Sequence, residues 1–458
     1  MTALHPYSGL LINDDLGPSG STRFMARRNR LLKAIDGPFI VSAVRRPPAA
    51  HAPWANLMVP VFQDPLFLYL TGLTQPGLCL LLDPSHPTHP ETLFLPLKNP
   101  DHEFWEGTQL GADHAPDVAF IAEYTGIQHC ESIESLSTHL TSLSQRHSQI
   151  TTFWNQSPSG RVCRDDHYQF RHRLRRWLPS TVLTNAQSDV WSHMLCLDDV
   201  DIASMHCAQS KTLEAFTHTA RQISQIRSET ELAGLLVGEL LRRTHFGLSF
   251  HPIVAGGQQA TTLHYTQNNQ PLVPGQLVLL DFGLRWHNMH SDISRVLPVN
   301  GRFNPLQALV YEAVLAGQAV VESAAKPGVT INELNTLCWS TIQDCLTETI
   351  TRNGGTMTLR YSNQPHNVSH LIGYTVHDGD PFRAYRSHPL QPGMIISNEP
   401  GVYGYFDCTI AGVSYREWIG IRIEDDLLIT PNGCENLSRD IPKSIADIEA
   451  LVTSPINL

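Results

Sequence analysis

Several features that mark other classes of protein are missing from this sequence. No two cysteines stand in a CxxC spacing; nine are scattered from Cys79 to Cys434. An odd, dispersed set of thiols argues against a disulfide framework and points to a reducing compartment. No stretch of about 18 uninterrupted apolar residues occurs, so no membrane span is expected. Met1 to Leu16 lacks a basic flank followed by a long apolar run, so no secretory signal is expected and the location expected is cytoplasmic. No run of Lys and Arg stands out either. With 32 basic against 43 acidic residues the formal net charge is −11. Such a surface does not attract phosphate backbones, and nucleic acid is not an expected partner.

What is present is material for a large core. Hydrophobic residues make up 41% and charged residues 16% of 458 positions, which argues against disorder and suggests two or three domains. The first part reads as mixed α/β. Arg23 to Ile35 reads as a basic-faced helix. Pro38 to Val44 and Thr92 to Leu97 read as strands, and Leu66 to Leu73 with Gly77 to Leu82 as strand, turn and strand. Ser157 to Ser188 is polar and irregular, then helical. A boundary is expected near Ser188 to Asp198, giving domains of residues 1–190 and 191–458. The second part has a doubled plan. Apolar residues at three- and four-residue intervals predict helices over Asp199 to Thr244, followed by strands from Leu248 to Val299. Helices return at Pro305 to Ser323 and Ile331 to Ile350, then strands from Leu359 to Thr430. Thr330 and Glu333 have the spacing of a capping box.

Five segments carry candidate chemistry. In Gln276 to Asn300, QLVLLDFGLRWHNMHSDISRVLPVN, an apolar strand runs into Asp281 and a return strand follows Asp292. A hairpin pairing would let both carboxylates face one space; the alternative is two solvated or capping aspartates. His366 to Asp378, HNVSHLIGYTVHD, holds His366, His370 and His377. Imidazole ligates metals and carries protons, but loops can also be His-rich without function. In Pro392 to Tyr403, PGMIISNEPGVY, Glu399 ends an apolar strand, where a lone buried carboxylate is costly and a metal partner would remove the cost. The alternative is an exposed strand end. In Gly420 to Thr430, GIRIEDDLLIT, strand alternation puts Arg422 and Glu424 on one face and Ile421 and Ile423 on the other. That is either a solvated ion pair or a ligand with a cationic neighbour. His264, in FHPIVAGGQQATTLHY, says little alone. Taken together, His264, Asp281, Asp292, His370, His377, Glu399 and Glu424 each lie in a strand-like context. Four carboxylates and one imidazole form a hard, oxygen-rich set suited to two ions such as Mn²⁺, with Zn²⁺, Co²⁺ or Fe²⁺ as alternatives.

The order and wording of these motifs resemble the pita-bread metallopeptidases, and within them the aminopeptidase P group. The likeness extends to VPVFQDPLFLYLTGL and EFWEGTQLG in the N-terminal part, so it spans nearly the whole chain. It implies a mixed α/β N-terminal domain followed by a pita-bread catalytic domain, a curved and mostly antiparallel sheet covered by helices. It implies hydrolysis of Xaa-Pro-Yaa after the first residue by a hydroxide bridging two metals. Residue by residue, Asp281 would bind one metal, Asp292 and Glu424 would bridge, and His370 would complete one sphere. Glu399 would bind a metal and act as acid/base. His264 and His377 would stabilise the tetrahedral intermediate and help move protons. His366, Tyr403 and Arg422 would line the substrate, and Trp105 would close a neighbouring subunit's site in a homo-oligomer, a dimer or tetramer. The chain departs from the family pattern at Asn367, Val368, Tyr374 and Asn398, and Thr108 and Gln109 replace a basic pair. None of these removes a ligand. The competing expectations are a prolidase acting on Xaa-Pro dipeptides, and a pita-bread binding protein without catalysis. The complete ligand set speaks against the second, and against a metal-free creatinase-type hydrolase.

Overall fold

The computed structural model describes residues 7–12, 19–45, 62–361 and 364–454. Val59 to Val61 and most of Met1 to Leu16 lie outside them. The chain divides into two compact units, residues 1–194 with 380–384 and residues 195–379 with 385–458.

The first unit is built on six strands: β1 (Phe39–Ser42), β2 (Cys79–Leu82), β3 (Glu91–Leu95), β4 (His129–Ser132), β5 (Gln149–Thr152) and β6 (Val182–Asn185), in the order β4-β3-β2-β1-β5-β6. β1, β2 and β3 pair antiparallel and the outer pairs are parallel. Every residue of β1 and β2 is buried, the signature of a sheet covered on both faces. On one face Ile40, Cys79, Leu81, Phe94 and Ile150 meet Leu140 and Leu143 of the Leu136–Arg146 helix and Phe170 and Leu174 of the Asp166–Trp177 helix. Each such aliphatic or aromatic side chain contributes about 1.5–3 kcal/mol by leaving water.

Two readings of this unit are corrected. Leu66 to Leu73 is not a strand: Pro65–Thr71 is a helix. Its caps decide against the apolar run. The Asp64 carboxylate accepts from the Phe67 N–H, Pro65 occupies the first turn, and Gly72 closes the helix at φ 70°. The helix expected at Arg23 to Ile35 spans Ser19–Ala34, but its basic face is partly turned inward. Arg28 is fully buried, with Nε and Nη2 each 2.8 Å from a Glu91 carboxylate oxygen. Its remaining N–H groups reach the carbonyls of Leu70 and Thr125.

The second unit alternates helices and strands twice. Asp199–Ala220 and Glu229–Leu241 precede β7 (Ile253–Gly256), β8 (Leu277–Phe282), β9 (Arg285–Trp286), β10 (Met289–His290) and β11 (Ile293–Pro298). Pro305–Ala324 and Ile331–Arg352 precede β12 (Thr356–Leu359), β13 (Leu371–Ile372), β14 (Ile395–Asn398), β15 (Gly401–Ile410), β16 (Val413–Arg422), β17 (Asp425–Thr430) and β18 (Gly433–Asn436). Strand orders are β11-β8-β7, β12-β15-β16 and β13-β14-β17-β18, with β9-β10 a short hairpin, and each pairing among the described residues is antiparallel. Thr330 and Glu333 form the capping box, both reciprocal bonds being present. The Pro305–Ala324 and Ile331–Arg352 helices approach closely at Gly317, where a Cβ would meet Ile342 Cγ1 at 2.5 Å. The strand-like context expected for every site residue fails at two of them. His264 lies in a turn after the short 3₁₀ segment Gly257–Thr261, and His377 lies in the irregular stretch between β13 and β14.

Candidate metal centre

β8 and β11 pair so that Ser294 lies opposite Asp281, and Asp292 immediately precedes β11. The chain between them makes the β9-β10 hairpin, with His287 and Asn288 both left-handed. Gly283 is required here, since a Cβ would collide with the Ser291 carbonyl oxygen. His370 enters from the residue before β13, Glu399 from the residue after β14, and Glu424 from the short link between β16 and β17. Antiparallel pairing of β13 with β14 brings His370 beside Ser397, whose Oγ accepts from the His370 N–H at 2.9 Å.

These connections converge. Ligand-capable atoms of Asp281, Asp292 and Glu424 lie within 4.8 Å of one another, as do those of His370, Glu399 and Glu424, and those of Asp292, His370 and His377. His370 Nδ1 is 3.1 Å from the Leu371 carbonyl oxygen and donates to it. That fixes the tautomer, leaving Nε2 as the lone pair 3.5 Å from both Asp292 Oδ2 and Glu399 Oε1. The His370 and His377 rings are 4.0 Å apart.

Arg422 faces this acidic set. Its Nη2 is 2.5 Å from Asp281 Oδ2, Nη1 donates to the Tyr403 hydroxyl at 3.2 Å, and Nε donates to Ser294 Oγ at 2.9 Å. Ser294 Oγ donates onward to Glu424 Oε2 at 3.0 Å. Arg422 and Glu424 are both buried, so the solvated ion pair is excluded. His366 Nδ1 is 2.8 Å from the Asn367 carbonyl oxygen and Nε2 is 3.0 Å from the Tyr403 hydroxyl. The carbonyl takes the Nδ1 proton, so Nε2 accepts from Tyr403. Burial pushes the His366 imidazole down to about 3, so it is neutral.

One guanidinium does not neutralise four carboxylates. Burial first, and then the neighbouring acids, raise Asp292 and Glu424 well above the usual carboxylate range and Glu399 to about 7. Asp281 Oδ1 and Glu424 Oε1 are buried and accept no hydrogen bond. Orphaned carboxylate oxygens among mutually repelling acids fit divalent cations, which supply the missing positive charge and take oxygen and imidazole ligands.

Comparison with known proteins agrees with this chemistry. Residues 203–431 match metallopeptidase family M24, and residues 24–153 match the aminopeptidase P N-terminal domain. The chain is 33% identical to Xaa-Pro aminopeptidase 3 of Mus musculus over 396 residues, 85% of this chain and 76% of the relative. The chain belongs to metallopeptidase family M24. It is an aminopeptidase P-type member, and hence a metallo-aminopeptidase, a hydrolase. The Xaa-Pro aminopeptidase of Escherichia coli is 29% identical over 87% of this chain and 91% of its own length. The aminopeptidase PepP structure of Pseudomonas aeruginosa superposes with a TM-score of 0.77 at 26% identity, covering 94% of this chain and 98% of that one. The second unit of this M24 enzyme is accordingly the pita-bread domain.

Not every sequence-predicted residue belongs to the cluster. His264 is exposed and stands in no candidate metal group among the described residues; its charge is felt at His366. Trp105 sits in the first unit, on the Pro100–Glu106 helix, 77% exposed and edge-on to Phe104. Sequence reasoning missed Ser294, Ser397 and Asp426. Asp426 Oδ2 accepts from the Asp292 N–H at 3.1 Å and from the Gln209 side chain, fastening a proposed ligand to the Asp199–Ala220 helix. Its sequence signal is the second aspartate of GIRIEDD, beside Glu424. No described helix is long and apolar enough to cross a membrane.

Proposed function

We propose that this M24 enzyme cleaves the bond between an N-terminal residue and a following proline. In this reading Asp281, Asp292, His370, Glu399 and Glu424 hold two divalent ions, Mn²⁺ in preference to Zn²⁺, Co²⁺ or Fe²⁺. The observation that carries it is the convergence of those ligand atoms with Asp281 Oδ1 and Glu424 Oε1 buried and unpartnered. The Xaa-Pro aminopeptidase relatives support the substrate class. Bound there, a divalent pair supplies Lewis acidity toward a carbonyl and lowers the pKa of a water toward neutrality.

The protein's own groups do the rest. Arg422 holds Asp281 by a short charge-assisted bond and holds Glu424 through Ser294, so two carboxylates are aimed by one cation. In this reading Glu399 takes a proton from the attacking water and passes it to the leaving proline nitrogen. His377, in ring contact with His370, and exposed His264, whose charge is felt at His366, serve in this reading as donors for the oxyanion that develops on the scissile carbonyl. An Xaa-Pro bond is a tertiary amide without an N–H, so recognition relies on shape and on the wall of half-buried His366 and buried Tyr403 rather than on an amide donor. The same reading takes residues 1–190 as the N-terminal domain and 191–458 as the catalytic one. It places the enzyme in the cytoplasm as a homo-oligomer, with exposed Trp105 reaching a neighbouring subunit's site.

The test is cleavage by metal-stripped protein with and without Mn²⁺, using an Xaa-Pro-Yaa tripeptide, an Xaa-Pro dipeptide and an Xaa-Ala-Yaa control. Mn²⁺-dependent release of Xaa from the tripeptide is expected. Cleavage confined to the dipeptide moves the assignment to a prolidase, and no cleavage with any of the four metals overturns it.

A further inference from the structure

The segment carrying His366 has few backbone bonds of its own. Among the described residues it runs through 364–370 without belonging to a strand. What fastens it is a side chain on the Ile331–Arg352 helix. Asn335 is buried, 7% exposed, and faces this segment with both ends of its amide in use. Its Oδ1 accepts from the Val368 N–H at 3.1 Å and from the Trp339 indole N–H at 3.0 Å. Its Nδ2 donates to Gln364 Oε1 at 2.6 Å. One amide thus ties the first and fifth residues of 364–368, with His366 between them.

Two contacts carry this fixation toward the acidic set. The Val368 carbonyl accepts from the Glu399 N–H at 2.9 Å, so the residue that Asn335 grips is also the backbone partner of Glu399. The Trp339 ring, oriented by the same Oδ1, stands edge-on to His366 with centroids 5.6 Å apart and planes at 87°. His366 Nδ1 is committed to the Asn367 carbonyl, so the orientation of its ring follows the backbone that Asn335 holds. Val368 is completely buried, and no water can replace the bond to its N–H without opening the segment.

We propose that Asn335 is a positioning residue for the peptidase reaction: it clamps segment 364–368 so that His366 and Glu399 face one space. Its side-chain bonds among the described residues go to Gln364, Trp339 and Val368, and to none of the proposed metal ligands. The proposal rests on the Xaa-Pro reading above for its catalytic consequence, and on geometry alone for the clamp.

Hydrogen exchange and kinetics separate the two. In Asn335→Ala, amides of 364–368 should exchange faster while the Asp199–Ala220 helix is unchanged. Misplacement of the gripped groups should lower kcat about tenfold to a hundredfold with KM within about threefold, the range seen for supporting groups around metal ligands. Mn²⁺ stoichiometry should stay intact. Asn335→Asp keeps the acceptor for Val368 and Trp339 and should recover most of the loss. Gln364→Ala removes only the exposed partner and leaves Asn335 in place; it should give a smaller change in the same direction in both readouts, and it decides the matter if the alanine variant does not fold. Unchanged exchange, unchanged kcat in a folded variant, or equal impairment in the Ala and Asp variants overturns the proposal. Wild-type protein that cleaves no Xaa-Pro peptide overturns the substrate reading, and faster exchange in Asn335→Ala would then still uphold the clamp.

Discussion

Arg28 in the first unit and Asp292 in the second are both buried, yet their surroundings differ in kind. The Arg28 guanidinium is met by both oxygens of Glu91 and by two backbone carbonyls. Nearby Asp117 accepts from Tyr7, Lys98 and the Gly111 N–H. Asp292 instead faces Asp281, Glu399 and Glu424, with Arg422 pulling against all of them. Buried charge completed by the chain itself is structure. Buried like charge left incomplete is a demand for something from outside, and in this family that is metal. The contrast also holds within the second unit. Arg295 and Asp425, side by side with the acidic set, are both fully buried and mutually paired at 2.7 Å, and Lys443 and Asn436 complete Asp425. They are scaffold, although they stand in the same motifs as the proposed ligands.

The largest effects should come from the incomplete set. Asp292→Asn is expected to lower Mn²⁺-dependent kcat/KM by at least about a thousandfold and to reduce bound metal, read by steady-state kinetics and elemental analysis. The same variant should raise the melting temperature of the metal-free protein. Asp292 is held above its ordinary range in the folded state, so at neutral pH its ionised form opposes folding, and a neutral amide relieves that. A lower metal-free melting temperature would put Asp292 in the same class as Arg28 and break the contrast. The opposite sign is expected in the first unit. Arg28→Met should destabilise by about 3 kcal/mol, because it strands Glu91 and two carbonyls, with activity per folded molecule preserved.

These two classes differ in how legible they were beforehand. Asp281, Asp292, His370, Glu399 and Glu424 could be named because each proposed ligand sits at or beside a strand end inside a motif of distinctive wording. The groups that aim them could not. Ser294 and Asp426 lie inside those motifs, but only the β8-β11 register and the Asp292 N–H bond to the Asp426 carboxylate give them work. Asn335 lies on a helix about thirty residues from the segment it grips, and periodicity marks it merely as an inward position. In the first unit the limit was local. LFLYLTG is apolar enough for a strand, and the decision lay in Asp64, Pro65 and Gly72 around it. The inward turn of Arg28 depends on Glu91, on a strand 63 residues away.

Caps offer a smaller and sharper comparison. Thr330→Ala removes one half of an exposed capping box and should cost about 1 kcal/mol in thermal unfolding. A cost well above that would mean that Thr330 supports the helix bearing Asn335 in more ways than capping.

Asp64 is a cap with a second task, and it yields the smallest effect. Its Oδ1 accepts from the Phe67 N–H while its Oδ2 lies 2.7 Å from Nε2 of buried His167. Burial works against a charged imidazole, but the Asp64 carboxylate, with Asp165 and Asp166 behind it, outweighs burial and holds His167 above its ordinary value. A raised histidine stabilises the fold fully below the unfolded value of about 6.5, and that contribution is lost as pH rises through the folded value. The stability gap between wild type and His167→Gln should therefore be widest near pH 5.5 and shrink by on the order of 1 kcal/mol toward pH 9. Melting temperatures of both proteins at three pH values in that range test it. A gap that stays constant would make His167 a neutral hydrogen-bond partner of Asp64. The rule that the first unit completes its own buried charges would then rest on Arg28 and Asp117 alone.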